Sequence, residues 1–122
     1  MNNREIGCLG ERIAESYLVQ MGYTILERNF RQRGGEIDIV AQDDGTICFI
    51  EVKTRTGDAF GAPSEAVDIR KRAKISHMAM AYLYKNKLHN RPCRFDVVEI
   101  WLSGQSGEVK RINLIKDAFD FV

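Results

Sequence analysis

The chain has 122 residues, a mass of 13.9 kDa and a net charge of +1, which leaves room for one domain around one core. A hydrophobic fraction of 44% and a charged fraction of 29% are those of a soluble globular protein. No apolar run approaches the ~20 residues that cross a bilayer, and the opening Met1-Asn2-Asn3-Arg4-Glu5 has no signal-peptide segment. A cytoplasmic protein without membrane association is expected.

Residues Arg4 to Met21 read as a helix, with Ile6, Leu9, Ile13, Tyr17 and Met21 at helical spacing and Gly22 as its stop. Gly10 costs this helix about 1 kcal/mol relative to Ala, and marks a place of close approach by another backbone or a ligand. Tyr23 to Phe30 reads as a strand, Arg31 to Gly35 as a loop, and Glu36 to Gln42 as a second strand. Asp44-Gly45 is a hairpin signal, because a type I′ turn needs positive φ at both central positions. A third strand runs from Ile47 to Thr54, followed by a glycine-containing stretch, Arg55 to Pro63. Ser64 or Asp68 caps the next helix, which reaches about Lys87 and buries Ile75, Met78, Ala79, Tyr82 and Leu83. Phe95 to Leu102 and Val109 to Ile115 are strands around a turn at Ser103 to Gly107, and the tail from Asp117 is too short to assign. Helix, three strands, helix, two strands predicts a single α/β domain, a mixed sheet flanked by helices.

Cys8, Cys48 and Cys93 are odd in number and widely spaced, against a disulfide framework or a C-x-x-C zinc site. His77 and His89 lack a partner at metal-ligand spacing and read as surface or packing residues. Charge is unevenly placed. Between Asp68 and Asp96 there is no acidic residue, while Arg70, Lys71, Arg72, Lys74, Lys85, Lys87, Arg91 and Arg94 are basic. Arg28, Arg31 and Arg33 precede Glu36 and Asp38. Such runs are either a solvated face or a cationic rim for phosphates beside an acidic centre.

A two-residue turn at Asp44-Gly45 pairs Asp38 with Glu51 and Glu36 with Lys53, all on one face. A slip of one residue would separate Asp38 from Glu51. Ile37, Ile39, Ala41, Cys48, Ile50 and Val52 fall on the other face, and Val40, Ile47 and Phe49 on the first, so the pair reads as covered on both sides. Carboxylates crowded in such a place repel one another unless a divalent cation joins them, and Mg²⁺ takes hard oxygen ligands of this kind. Lys53 would then lie near the attacking water or the scissile phosphate. The competing reading is a set of cross-strand ion pairs, Glu36–Lys53 and Glu51–Lys53, each worth a few tenths of a kcal/mol.

Gly35-Glu36-Ile37-Asp38, twelve residues, then Glu51-Val52-Lys53 resembles the PD-(D/E)xK nuclease motif, with Ile37 where the motif's name has proline. With Gly10-Glu11-x-x-Ala14, Glu51-Val52-Lys53-Thr54-Arg55 and Arg94-Phe95-Asp96-Val97, the chain is similar over nearly its whole length to the YraN-like family of small bacterial proteins. That family is related in fold to Holliday-junction resolvases. The resemblance implies a restriction-endonuclease-like αβββαββ core and a Mg²⁺- or Mn²⁺-dependent endonuclease acting on DNA, branched or structured DNA included. It implies Asp38 and Glu51 as metal ligands with the Val52 carbonyl, Lys53 as the catalytic lysine, and Glu11 as an acidic residue near the metal. The ion would polarise the phosphodiester and acidify the attacking water. Arg55, Lys71 and Lys74 are the candidates for phosphate contacts. Glu36 and Arg94 receive no role. A homodimer is expected only by analogy with junction resolvases, and the alternative function is a nucleic-acid-binding module that does not cleave.

Overall fold

A computed structural model describes residues 1–57, 68–104 and 106–122. The order is α1 (Asn3–Gln20), β1 (Thr24–Gln32), β2 (Gly35–Asp43), β3 (Thr46–Thr56), α2 (Ile69–Lys85), β4 (Cys93–Leu102) and β5 (Val109–Phe119). The strands form one five-stranded sheet in the order β1-β2-β3-β4-β5. β3 and β4 are parallel and the other neighbours antiparallel, so the sheet is mixed. A parallel pair needs a crossover rather than a hairpin, and α2 lies within it.

The helices start and stop as their local chemistry dictates. Asn2 caps α1 by accepting the Glu5 N–H at 2.8 Å, and Asp68, not Ser64, caps α2 through the Lys71 N–H at 2.9 Å. Ser64 lies outside the described residues, as do Asp58 to Pro63 of the predicted connection. α1 ends in a Schellman motif: Tyr23 N–H donates to Leu18 and Gly22 N–H to Val19, with Gly22 at φ 98°. α2 ends the same way, except that Lys87 takes the left-handed position at φ 56°.

Each helix covers one face. α1 buries Ala14 and Leu18 against Ile39, Ala41, Cys48, Ile50, Val98, Ile100 and Leu102. α2 buries the predicted stripe Ile75, Met78, Ala79, Tyr82 and Leu83 against Phe30, Ile37, Val40, Ile47, Phe49, Phe95 and Val97. Gly10 is where α1 lies tightest on the sheet. A Cβ there would come 1.8 Å from Thr54 Oγ1 and 2.8 Å from Thr54 Cβ, so the close neighbour is the β3 side chain.

Several boundaries differ from expectation. β1 and β2 extend into the predicted loop, leaving Arg33-Gly34 as the turn; β3 takes in Arg55 and Thr56. The unassigned tail continues β5 to Phe119, which pairs with Phe95 and stacks on its ring at 4.7 Å. Apolar burial outweighs the weak β preference of Asp117, which adopts φ 53°. Ile37 packs with α2, although Ile39 packs with α1. Regular alternation would place both on one face. The break coincides with Asn29, which takes φ 51° within β1 between Arg28, paired with Ile39, and Phe30, paired with Ile37.

Candidate metal centre

The hairpin forms in the predicted register, with Asp44 at φ 47° and Gly45 at φ 89°. Pairing runs from Asp43↔Thr46 to Ile39↔Ile50 and stops there. Beyond that point Asp38 Oδ2 accepts the Val52 N–H at 2.8 Å. A carboxylate, rather than a backbone carbonyl, thus satisfies β3 where β2 parts from it. Asp38 and Glu51 meet in this parting of the strands instead of as a regular cross-strand pair. The expected pairing of Glu36 with Lys53 does not form, because the ladder has already ended; Glu36 makes its ion pair with Arg31 at 3.4 Å.

On the α1 side, Glu11, Glu36 and Asp38 each present a carboxylate oxygen, all within 4.8 Å of one another. All three residues are half-buried. Burial, then the charges of Asp38 and Glu36, hold the Glu11 carboxyl above its ordinary pKa, while Arg31 pulls it down. The Asn29 carboxamide lies against Oε1 of both Glu36 and Glu11. With its nitrogen turned to them it donates to each, at 2.8 Å to Glu11.

On the α2 side, Glu51 is only 7% exposed and its Oε1 lies 3.4 Å from Lys71 Nζ. Its pKa is pushed up to about 8, first by burial and then by the hydrogen bond and charge of Asp38, with Lys71 opposing. Burial and the neighbouring Asp38 thus disfavour the ionised form of Glu51 in the metal-free protein. Lys53 follows on the same side of β3, half-buried and opposite Glu99 in the parallel ladder.

Two clefts flank these acids. One, of about 420 Å³, is lined by Gly35, Glu36, Glu51, Arg70, Lys71 and Lys74. The other, of about 570 Å³, is lined by Arg4, Glu11, Arg12, Arg28, Asn29, Arg31, Glu36 and Asp38. Glu36 borders both. Of the three candidate phosphate contacts, Lys71 and Lys74 line the first cleft, whereas Arg55 lies four residues past Glu51, roughly 13 Å along the strand, and lines neither. Arg28 is held in a two-pronged ion pair with Glu15 that fastens β1 to α1.

Arg94 belongs to a separate network at the hairpin end of the sheet. It donates to Asp96 at 3.0 Å, to Asp43 at 2.7 Å and to the Tyr23 hydroxyl at 2.9 Å. Fully buried Asp96 also accepts from Tyr23 at 3.0 Å and from the Asp117 N–H at 2.9 Å. Burial first, and Asp96 next, push the Tyr23 phenol well above its usual range. These bonds tie β2, β4 and β5 to one another and to Tyr23 in the turn before β1, so Arg94 and Asp96 are structural. Cys8, Cys48 and Cys93 are free thiols, and burial raises the Cys48 pKa to about 12. His77 and His89 are exposed, the latter stacked on Tyr84 at 4.7 Å.

The structure thus gathers Glu11, Asp38, Glu51, Val52 and Lys71 into one neighbourhood with Lys74 at its rim. Sequence reasoning left Glu36 without a role and missed Asn29. Asn within a β-rich run was the available signal, since it is disfavoured in strands and tolerant of positive φ.

A five-stranded mixed sheet between two helices, with acids where β2 and β3 part, defines a restriction-endonuclease-like α/β core. Residues 10–100 match Uncharacterised protein family UPF0102, and the chain belongs to that family. It is 52% identical to a UPF0102 protein of Clostridium kluyveri, over 96% of this chain and 95% of that one. Identity is also 52% to a UPF0102 protein of Trichlorobacter lovleyi, over 97% and 92% of the two chains. A UPF0102 protein of Clostridioides difficile is 48% identical, over 98% and 100%. No helix is long and apolar enough to cross a membrane among the described residues.

Proposed function

We propose that this protein is a Mg²⁺- or Mn²⁺-dependent nuclease that hydrolyses phosphodiester bonds in DNA, branched or structured DNA included. The observation that carries the reading is the convergence of Glu11, Glu36 and Asp38 to within 4.8 Å, with the buried Glu51 carboxyl against Asp38 beside them. Four carboxyl groups pressed together, two of them with raised pKa, fit a hard divalent cation, which replaces protons as the neutralising charge.

Asp38 would hold the ion, with Glu11 and Glu36 from the α1 side and Glu51 and the Val52 carbonyl from β3. Such an ion supplies Lewis acidity toward a phosphoryl oxygen and toward the attacking water. The protein's own groups do the rest. Lys53 orients the nucleophile and stabilises the negative charge that develops on the phosphoryl group. Lys71 and Lys74 hold backbone phosphates in the cleft without reading sequence, which makes binding fall with salt. Arg55 contacts phosphate further along the strand.

The test incubates purified protein with single-stranded, duplex, flap and four-way-junction DNA in Mn²⁺, beside Lys53→Ala and Glu51→Ala. Cleavage by the wild type, lost in both variants while Lys53→Ala still binds DNA, is the expected result. Binding without cleavage by the wild type establishes the non-catalytic nucleic-acid-binding module instead. Equal cleavage by all three proteins assigns the activity to a contaminant and overturns the proposal.

A further inference from the structure

A residue that neither the motif nor the resemblance names sits against the acidic cluster. Asn29 lies on β1, exposed at the mouth of the α1-side cleft, opposite Asp38 in a ladder that pairs Arg28 with Ile39 and Phe30 with Ile37. Its backbone adopts φ 51°, a left-handed conformation that L residues in a strand rarely take. Its carboxamide lies within hydrogen-bond reach of Glu36 Oε1 and, at 2.8 Å, Glu11 Oε1. Both neighbours are acceptors, so the amide nitrogen must face them; an oxygen there would meet only lone pairs.

We infer that Asn29 is a positioning residue which fixes the carboxylates of Glu11 and Glu36 in place for a divalent cation. The inference rests on the metal-dependent reading above. Each carboxylate has two oxygens and about four lone-pair sites, so one amide hydrogen bond leaves capacity for a cation. A neutral donor holds two like-charged groups together without competing with that cation, as a lysine or arginine would. Few residues satisfy both demands. Glycine tolerates the backbone but has no donor, aspartate tolerates it but adds another negative charge, and asparagine meets both. Partners that orient ligands in this way typically change metal affinity 10–100-fold when removed.

Asn29→Gly separates positioning from backbone structure, because it keeps the left-handed conformation accessible and deletes only the amide. Calorimetric titration of the full-length protein with Mn²⁺ should show affinity at least about 10-fold weaker in Asn29→Gly than in the wild type. Metal-free thermal unfolding should shift little, and Asp38→Ala should abolish binding. Wild-type binding matched by Asn29→Gly overturns the role of Asn29 alone. No Mn²⁺ binding by the wild type overturns the cation site, and this role with it. A second readout needs no variant: in the metal-free wild type, the Asn29 side-chain amide protons should exchange slowly and move on adding Mg²⁺. Side-chain amide resonances at free-solvent positions, indifferent to Mg²⁺, refute the inference.

Discussion

Substituting Glu51 with Gln should flatten the pH dependence of the metal-free protein's stability. Glu51 is 7% exposed, and its pKa rises from 4.5 to about 8 on folding, through burial first and then through Asp38. The folded pKa lies above the unfolded one, so folding takes up a proton between them. The stabilisation is complete below pH 4.5 and is lost as pH rises through about 8. At about 1.4 kcal/mol per pKa unit, the loss between pH 5 and pH 8 is roughly 3 kcal/mol. Gln resembles the protonated acid in shape and does not titrate. Urea unfolding in EDTA at pH 5, 6, 7 and 8 should therefore give a falling free energy for the wild type and a flatter profile for Glu51→Gln. The two should differ by only a small amount at pH 5, with the variant gaining roughly 2–4 kcal/mol on the wild type by pH 8. Parallel profiles would mean that Glu51 ionises freely in the folded protein and that burial beside Asp38 does not raise its pKa.

Gly10→Ala improves helix propensity by about 1 kcal/mol but drives a Cβ to 1.8 Å from Thr54 Oγ1, so a net loss of about 1–3 kcal/mol is expected in urea unfolding. Thr54→Gly in the same chain should relieve the clash more than Thr54→Ala, because Thr54 Cβ itself stands 2.8 Å away. Lys87→Gly should raise stability by about 0.5–1 kcal/mol, measured by thermal melting, since Lys87 occupies a left-handed C-terminal position at φ 56°. Asp96→Ala should cost about 3–5 kcal/mol, because it strips buried partners from Arg94, Tyr23 and the Asp117 N–H. In a variant that stays folded, Mn²⁺ affinity should stay near wild type, because the hydrogen bonds of this network run to Tyr23, Arg94, Asp43 and Asp117 rather than to the acidic cluster.

The amino-acid sequence by itself determined the element order, the stripe of α2 and the hairpin at Asp44-Gly45, because each follows from short-range rules. Apolar spacing sets helix faces, Asx residues cap, and a two-residue turn with positive φ fixes register. That register brought Asp38 to Glu51. What followed depended on contacts distant in sequence. Pairing ends at Ile39↔Ile50 because Asp38 takes the Val52 N–H, and no periodicity encodes where two strands part. Glu36 turns to Glu11 and Asn29, across three elements, instead of to Lys53. Arg94, a basic residue in a basic stretch, proves to be an internal tie to Asp43 and Asp96. Tertiary structure decided these points because a charged side chain settles where its partners converge, and convergence is a property of the packed sheet rather than of the local chain.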